Sequence, residues 1–149
     1  MKTSPSPLWL LLIYKVPRSP SASRVYVWRK IKQLGAIALQ DAVWVLPSNA
    51  RTQEQFQWLA SEVVELGGEA TLWTSDLIYE QQATPLAEAF AAQTDAEYRE
   101  ILSALKRKRP DLKALALQYQ QAQARDYFQS PLGRQVHERL LKARGDASQ

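Results

Sequence analysis

Eleven cations are the side chains whose type and spacing could do chemistry in this 149-residue chain. Lys15, Arg18, Arg24, Arg29, Lys30 and Lys32 crowd the stretch "LIYKVPRSPSASRVYVWRKIKQLGA", residues 12–36. Arg51 follows alone, and Lys106, Arg107, Lys108 and Arg109 form a run stopped by Pro110. The net charge of +4 hides a segregation: residues 1–40 carry seven basic and no acidic side chains, residues 41–100 have a net charge of −9, and residues 101–149 one of +6. Clustered charge of one sign focuses a field that scattered charge cancels, so the chemistry open to these residues is anion binding. Lys15, Arg18, Arg24, Arg29, Lys30 and Lys32 are therefore predicted to form a phosphate-contacting surface at the sheet edge, extended by Arg51 and the Lys106–Arg109 run. The competing reading of the same counts is a solvated polar surface.

Catalytic constellations are thin. The chain has no cysteine, which removes disulfides, thiol catalysis and Cys-based zinc or iron–sulfur sites. Its single histidine, His137 in "GRQVHERLL", excludes a His-based zinc site by count and reads as a residue at the edge of an apolar stripe. No glycine-rich phosphate loop, nucleophile elbow or His–acid pair is present. Asp and Glu fall mostly at helix starts and on helix faces, where capping and solubility account for them. The expectation is a protein that is not an enzyme and holds no metal or cofactor.

Several elements must position the cations. Leu8 to Val16 is a continuous apolar run bounded by prolines, which predicts a central strand. The core of that run, "LWLLLIY", is seven residues long, follows two prolines and meets Lys15 without a small-residue cleavage site, so it reads neither as a signal peptide nor as a membrane span. A helix capped by Ser21 or Ser23 runs to about Gly35, with Val27, Ile31 and Leu34 on one stripe and Trp28 beside it. "AIALQ" and "AVWVLP" read as strands. Thr52 with Gln55 fits a capping box ahead of the stripe Phe56, Leu59, Val63 and Leu66, and "EATLWT" follows Gly67-Gly68 as a fourth strand. This order predicts an α+β fold: a ferredoxin-like βαββαβ antiparallel sheet over residues 1–80, followed by a C-terminal helical extension, residues 81–149, packed on it. In the extension one segment starts at Thr84-Pro85, and a second at a Thr94/Glu97 capping box. Further helices are predicted through Leu112, Leu115 and Tyr119, and from Ser130-Pro131 to a point before Gly145.

The five tryptophans, Trp9, Trp28, Trp44, Trp58 and Trp73, fall in different elements, which assigns them mostly to the core. The first strand is apolar at both parities, so both faces of the sheet need cover. The helices of a ferredoxin-like unit supply one, and the C-terminal helices or a second copy of the chain the other, which points to a homodimer.

Two resemblances enter on these residues. "LLLIYKVPRSPSASRVYVWRKIKQLGA", "LQDAVWVLP", "EQFQWLASEVVELGGEATLW" and "DYFQSPLG" together resemble the N-terminal domain of the ChrB family of chromate-resistance regulators. That resemblance implies a cytoplasmic, chromate-responsive transcription regulator with DNA bound by this region and chromate as effector. It also implies a sensor domain, here expected from a separate protein. The strand ending in an aromatic and "VP" before a basic helix is similar to the small ferredoxin-like CRISPR-associated nucleases and to a domain of phenylacetate-type repressors. Those nucleases place a metal-binding aspartate where this chain has Lys15, and a cation there argues against metal-dependent phosphodiester hydrolysis. The readings in order are a DNA-binding regulatory domain, an oxyanion-binding or protein-interaction module of the chromate response, and a metal-dependent nuclease. A membrane role is not expected.

Overall fold

The computed structural model describes residues 8–147, and Lys2, counted among the cations above, lies outside them. The chain divides into two compact units, residues 1–82 and 83–149.

In the first unit β1 (Trp9–Lys15), α1 (Ser21–Gln33), β2 (Ile37–Gln40), β3 (Val43–Pro47), α2 (Ala50–Glu65) and β4 (Glu69–Ser75) follow in βαββαβ order. The sheet order is β2-β3-β1-β4, with every neighbouring pair antiparallel. This is the ferredoxin-like arrangement. β1 is central because it is the most continuously apolar strand: it pairs Leu12 with Trp44 on one side and with Leu72 on the other. Side chains alternate between faces. Leu10 and Leu12, with Leu46 and Trp44 brought beside them by register, are buried on the face covered by α1 and α2. The helices contribute Val27 and Ile31 from α1 and Phe56, Leu59 and Val63 from α2, each buried. Full burial of one such side chain stabilises by about 1.5–3 kcal/mol, a sizeable part of a domain's net stability.

The tryptophans divide in a way their spread over the elements does not reveal. Trp9 and Trp44 are buried, whereas Trp28, Trp58 and Trp73 are 51%, 66% and 54% exposed. Helical phase explains two of these: Trp58 lies two residues from Phe56, about 200° around α2 and so away from the core. Trp28 lies on the flank of α1. Trp73 opposes Leu11, which puts it on the sheet face away from the helices.

Two caps also differ from expectation. α1 has no side-chain cap, because Pro20 in extended conformation takes the N-cap position and Ser21 is already helical. The capping box of α2 sits one turn earlier than Thr52/Gln55. Asn49 Oδ1 accepts the Thr52 N–H (2.8 Å) and Thr52 Oγ1 accepts the Asn49 N–H (2.9 Å), so Thr52 closes the box and Asn49 opens it. The buried Thr52 hydroxyl also donates to the Pro47 carbonyl at 2.6 Å, tying the helix start to the end of β3. Gly35 leaves α1 at φ 79°, the left-handed conformation that glycine adopts without strain.

The second unit packs α3 (Ala83–Leu105), α4 (Leu112–Ala124) and α5 (Pro131–Ala147) around Tyr98, Ile101, Leu115, Ala122, Val136 and Leu140. Here α3 is one helix where the sequence predicts two. Thr94 is buried in mid-helix and its hydroxyl donates back to the Phe90 carbonyl at 3.1 Å, while Glu97 forms an ion pair with Arg125. Pro85 falls in the first turn, where its missing N–H removes no helical bond. Asp111 caps α4 by accepting the Ala114 N–H at 3.1 Å. α5 runs through Gly145 instead of stopping before it. Among the described residues no helix is long and apolar enough to cross a membrane.

Candidate functional site

At one corner of the α/β unit three segments meet around a cavity of about 570 Å³ lined by Tyr14, Lys15, Arg18, Arg24, Trp28 and Asp41. The strand β1 ends there because Pro17 cannot continue the ladder. The loop carrying Arg18 leads to the first turns of α1, where Arg24 and Trp28 lie one turn apart on one flank. The β2–β3 turn supplies the third wall: its Ala42 carbonyl accepts the Tyr14 N–H at 3.2 Å, which sets Asp41 beside the end of β1.

The electrostatics favour an anion. Among the described residues Lys15, Arg18 and Arg24 form no ion pair, and Asp41 is the single carboxylate in the lining. Burial raises the Tyr14 phenol above its ordinary pKa, with the Trp44 indole and the Arg24 guanidinium acting in the opposite direction. The phenol is therefore a neutral hydroxyl at physiological pH, able to donate. Trp28 forms a half-exposed apolar wall, and the Lys32 ammonium, itself not part of the lining, lies 6.0 Å from its ring centroid.

The other cations are placed elsewhere. Six residues separate Arg24 from Lys30, about 240° of helix, so Lys30 belongs to the opposite flank of α1. There its ammonium lies 5.6 Å from the Tyr26 ring, and the Tyr26 hydroxyl donates to Glu62 of α2. Arg29 is exposed between the two flanks. Arg51 begins α2 next to the Pro47 end of the sheet. Pro47 opposes Trp9, whereas Lys15 ends the other side of β1 beside Glu69, so roughly 20 Å of strand lies between the two cations. Arg51 thus does not extend the cavity. Lys106, Arg107, Lys108 and Arg109 follow α3 in the helical unit and are exposed. Arg107 and Arg109 line a separate cleft of about 410 Å³ together with the acidic Glu100 and Asp111.

The structure thus brings three of the predicted cations together and sets among their neighbours Tyr14, Trp28, Asp41 and Ala42, which a charge count does not mark. Among the described residues no group of three or more His, Cys, Asp or Glu could hold a metal ion.

The family model described as Protein ChrB, N-terminal, matches residues 24–114. Protein ChrB of Cupriavidus metallidurans is 32% identical over 112 residues, which cover 75% of this chain and 34% of that protein. The chain therefore spans about a third of the length of the curated relative it matches. No solved structure matches the chain.

Proposed function

The chain belongs to the ChrB N-terminal family, and on that premise we propose that it is a regulatory domain of the chromate response that holds DNA phosphate in the cationic cavity at the end of β1. The observation that carries this reading is that Lys15, Arg18 and Arg24, which form no ion pair among the described residues, line one concave corner. Phosphate oxygens would meet the two guanidinium forks and the ammonium, and the single Asp41 carboxylate leaves the lining net positive. Such contacts position a protein on a duplex without reading its sequence. The role proposed is binding: three cations against one carboxylate suit holding an anion.

A second reading has its own observation. The three cations line one pocket of about 570 Å³, and a concave cationic pocket also suits a free tetrahedral oxyanion such as chromate. Fluorescence anisotropy with labelled duplex across a salt series tests both. A duplex held by the cavity gives a steep negative slope of log affinity against log salt, and Lys15→Ala, Arg18→Ala and Arg24→Ala together should reduce it by about 2.7, at about 0.9 per phosphate contact. An unchanged slope overturns the DNA reading. Saturable quenching of Trp28 by chromate, lost in the same variant and absent with chloride, would support the oxyanion reading instead.

A further inference from the structure

The helical unit holds a cavity of its own, about 600 Å³, between α3, α4 and α5. Its size falls in the range of small-molecule sites, about 300–1,000 Å³. Aromatic rings line it in series: Tyr119 lies 6.2 Å from the buried Tyr98 and 5.7 Å from His137, whose imidazole is stacked on it at 26°.

The groups that hold the walls are already engaged. Asp126, the one carboxylate in the lining, accepts the Tyr98 hydroxyl at 2.9 Å, and both its oxygens accept the Ser130 N–H at 3.0 Å. The first amides of α5 are engaged as well: the Leu132 N–H donates to Ser130 Oγ at 3.2 Å and the Gly133 N–H to the Ser130 carbonyl at 3.0 Å. The helix end is therefore not the recognition element. Gly133 fixes the floor, since a Cβ there would lie 3.0 Å from the Tyr98 hydroxyl. Between Asp126 and Ser130, Gln129 is held at φ 53°, a left-handed conformation that non-glycine residues seldom adopt.

What remains unengaged is a specific set. Arg134 lies one turn before His137 and forms no ion pair among the described residues. The Gln123 and Gln129 amides add neutral donors. A stacked Tyr–His pair beside an uncompensated guanidinium selects a flat ring that carries an anionic group. The ring continues the stack, and a carboxylate meets the guanidinium in two parallel N–H···O bonds. We propose that this cavity binds a small aromatic carboxylate. An inorganic anion would use Arg134 alone, and an uncharged ring the stack alone.

The single histidine makes the test direct, because the full chain has one imidazole Hε1 proton NMR resonance, that of His137. Sodium benzoate should move that resonance saturably, and both cyclohexanecarboxylate and inorganic phosphate should bind at least about tenfold more weakly. Arg134→Ala should weaken benzoate about tenfold or more, the scale of one charge-assisted hydrogen-bond pair. Because Arg134 is exposed, the amide spectrum of that variant should match the parent. If it does not, Arg134→Lys keeps the charge, removes the fork and should still lose affinity several-fold. No saturable shift by about 10 mM benzoate, equal shifts with phosphate, or unchanged affinity in both Arg134 variants overturns the proposal.

Discussion

Gly68→Ala tests the close packing behind the cationic corner. A Cβ at Gly68 would lie 2.2 Å from the Lys15 carbonyl oxygen, 3.0 Å from Val63 Cγ1 and 3.1 Å from the Val16 Cα. Carbon and carbonyl oxygen in contact are about 3.3–3.6 Å apart, so the two chains must separate by roughly 1 Å. Two of the three obstructing atoms are backbone and cannot rotate away. The separation falls on the Lys15–Glu69 rung, the last of the β1–β4 ladder. Overpacking costs about 1–3 kcal/mol and a lost ladder bond about 1 kcal/mol, which together give roughly 3 kcal/mol. Gly67→Ala is the internal control. Its φ is +88°, and the nearest atom to its Cβ is Pro17 Cγ at an ordinary 3.7 Å, so only the left-handed penalty applies. That penalty is about 1–2 kcal/mol. All five tryptophans lie between residues 9 and 73, so urea unfolding followed by tryptophan fluorescence reads the α/β unit by itself. With a slope of about 1–2 kcal/mol per molar urea, the Gly68→Ala midpoint should fall by roughly 1.5–3 M. The Gly67→Ala midpoint should fall by less. A Gly68→Ala midpoint at the parental value, or a larger loss in Gly67→Ala, would refute the steric argument.

Three other expectations follow from separate parts of the molecule. Thr52→Val leaves the buried Pro47 carbonyl without its donor and the part-buried Asn49 N–H without its acceptor, which should cost about 1–3 kcal/mol in the same urea assay. Burial first, and then the hydrogen bond to the Asp126 carboxylate, raise the Tyr98 phenol well above its ordinary value of 10.0. The unfolded chain loses that proton near pH 10 while the folded chain keeps it, so this contribution to stability is complete below about pH 10 and declines above it. Thermal melts followed by far-UV circular dichroism should show the decline, and Tyr98→Phe should flatten it; an unchanged decline in the variant rejects the assignment. Trp28 beside three cations should draw iodide and repel caesium. Trp28→Phe should therefore remove a larger share of iodide quenching than of caesium quenching, and equal losses would mean the cavity has no net positive field.

Much of the fold was readable because periodicity and punctuation agree. β1 has no polar residue before Lys15, the stripe Phe56, Leu59 and Val63 has a helical period, and Gly35, Gly67 and Gly68 mark the turns that follow the two helices. Misreadings arose where one residue type serves two structures. A threonine three residues ahead of a glutamate can open a capping box, as the sequence predicts for Thr94. It can equally bond back to the preceding turn in mid-helix, as Thr94 does, and only its burial separates the two. Asn49 outcompetes Thr52 for the N-cap because its carboxamide reaches the Thr52 N–H, leaving the threonine hydroxyl to close the box. Tryptophan exposure was illegible for another reason. An element's face is set by phase, and Trp58 is two residues out of phase with Phe56.

The site was legible only by half, because charge counted along a sequence has no direction. α1 advances about 100° per residue, so cations adjacent in sequence separate around the helix. Arg24 enters the cavity, Arg29 points outward and Lys30 stands over Tyr26 on the far flank. Lys15 and Arg18 meet Arg24 because strand, loop and helix share one corner. Asp41 and Ala42 join them only because the β2–β3 hairpin turns beside the end of β1, a consequence of the sheet order. Two triple variants with the same charge change turn this into a measurement. If the summed field of the basic segment attracts the anion, Lys15/Arg18/Arg24→Ala and Arg29/Lys30/Lys32→Ala should weaken duplex binding alike, since each removes three charges. If the concave corner does the holding, the first set removes direct contacts at roughly 1.5–3 kcal/mol each. The second set then lowers only long-range attraction, which is screened beyond about 8 Å at physiological salt. The corner variant should lose at least about tenfold more affinity there, and its slope of log affinity against log salt should be the shallower of the two by about 2.7, so raising the salt should narrow that gap. Equal losses that shrink together with salt would instead place the anion on the whole basic face of the segment and leave the cavity without a role.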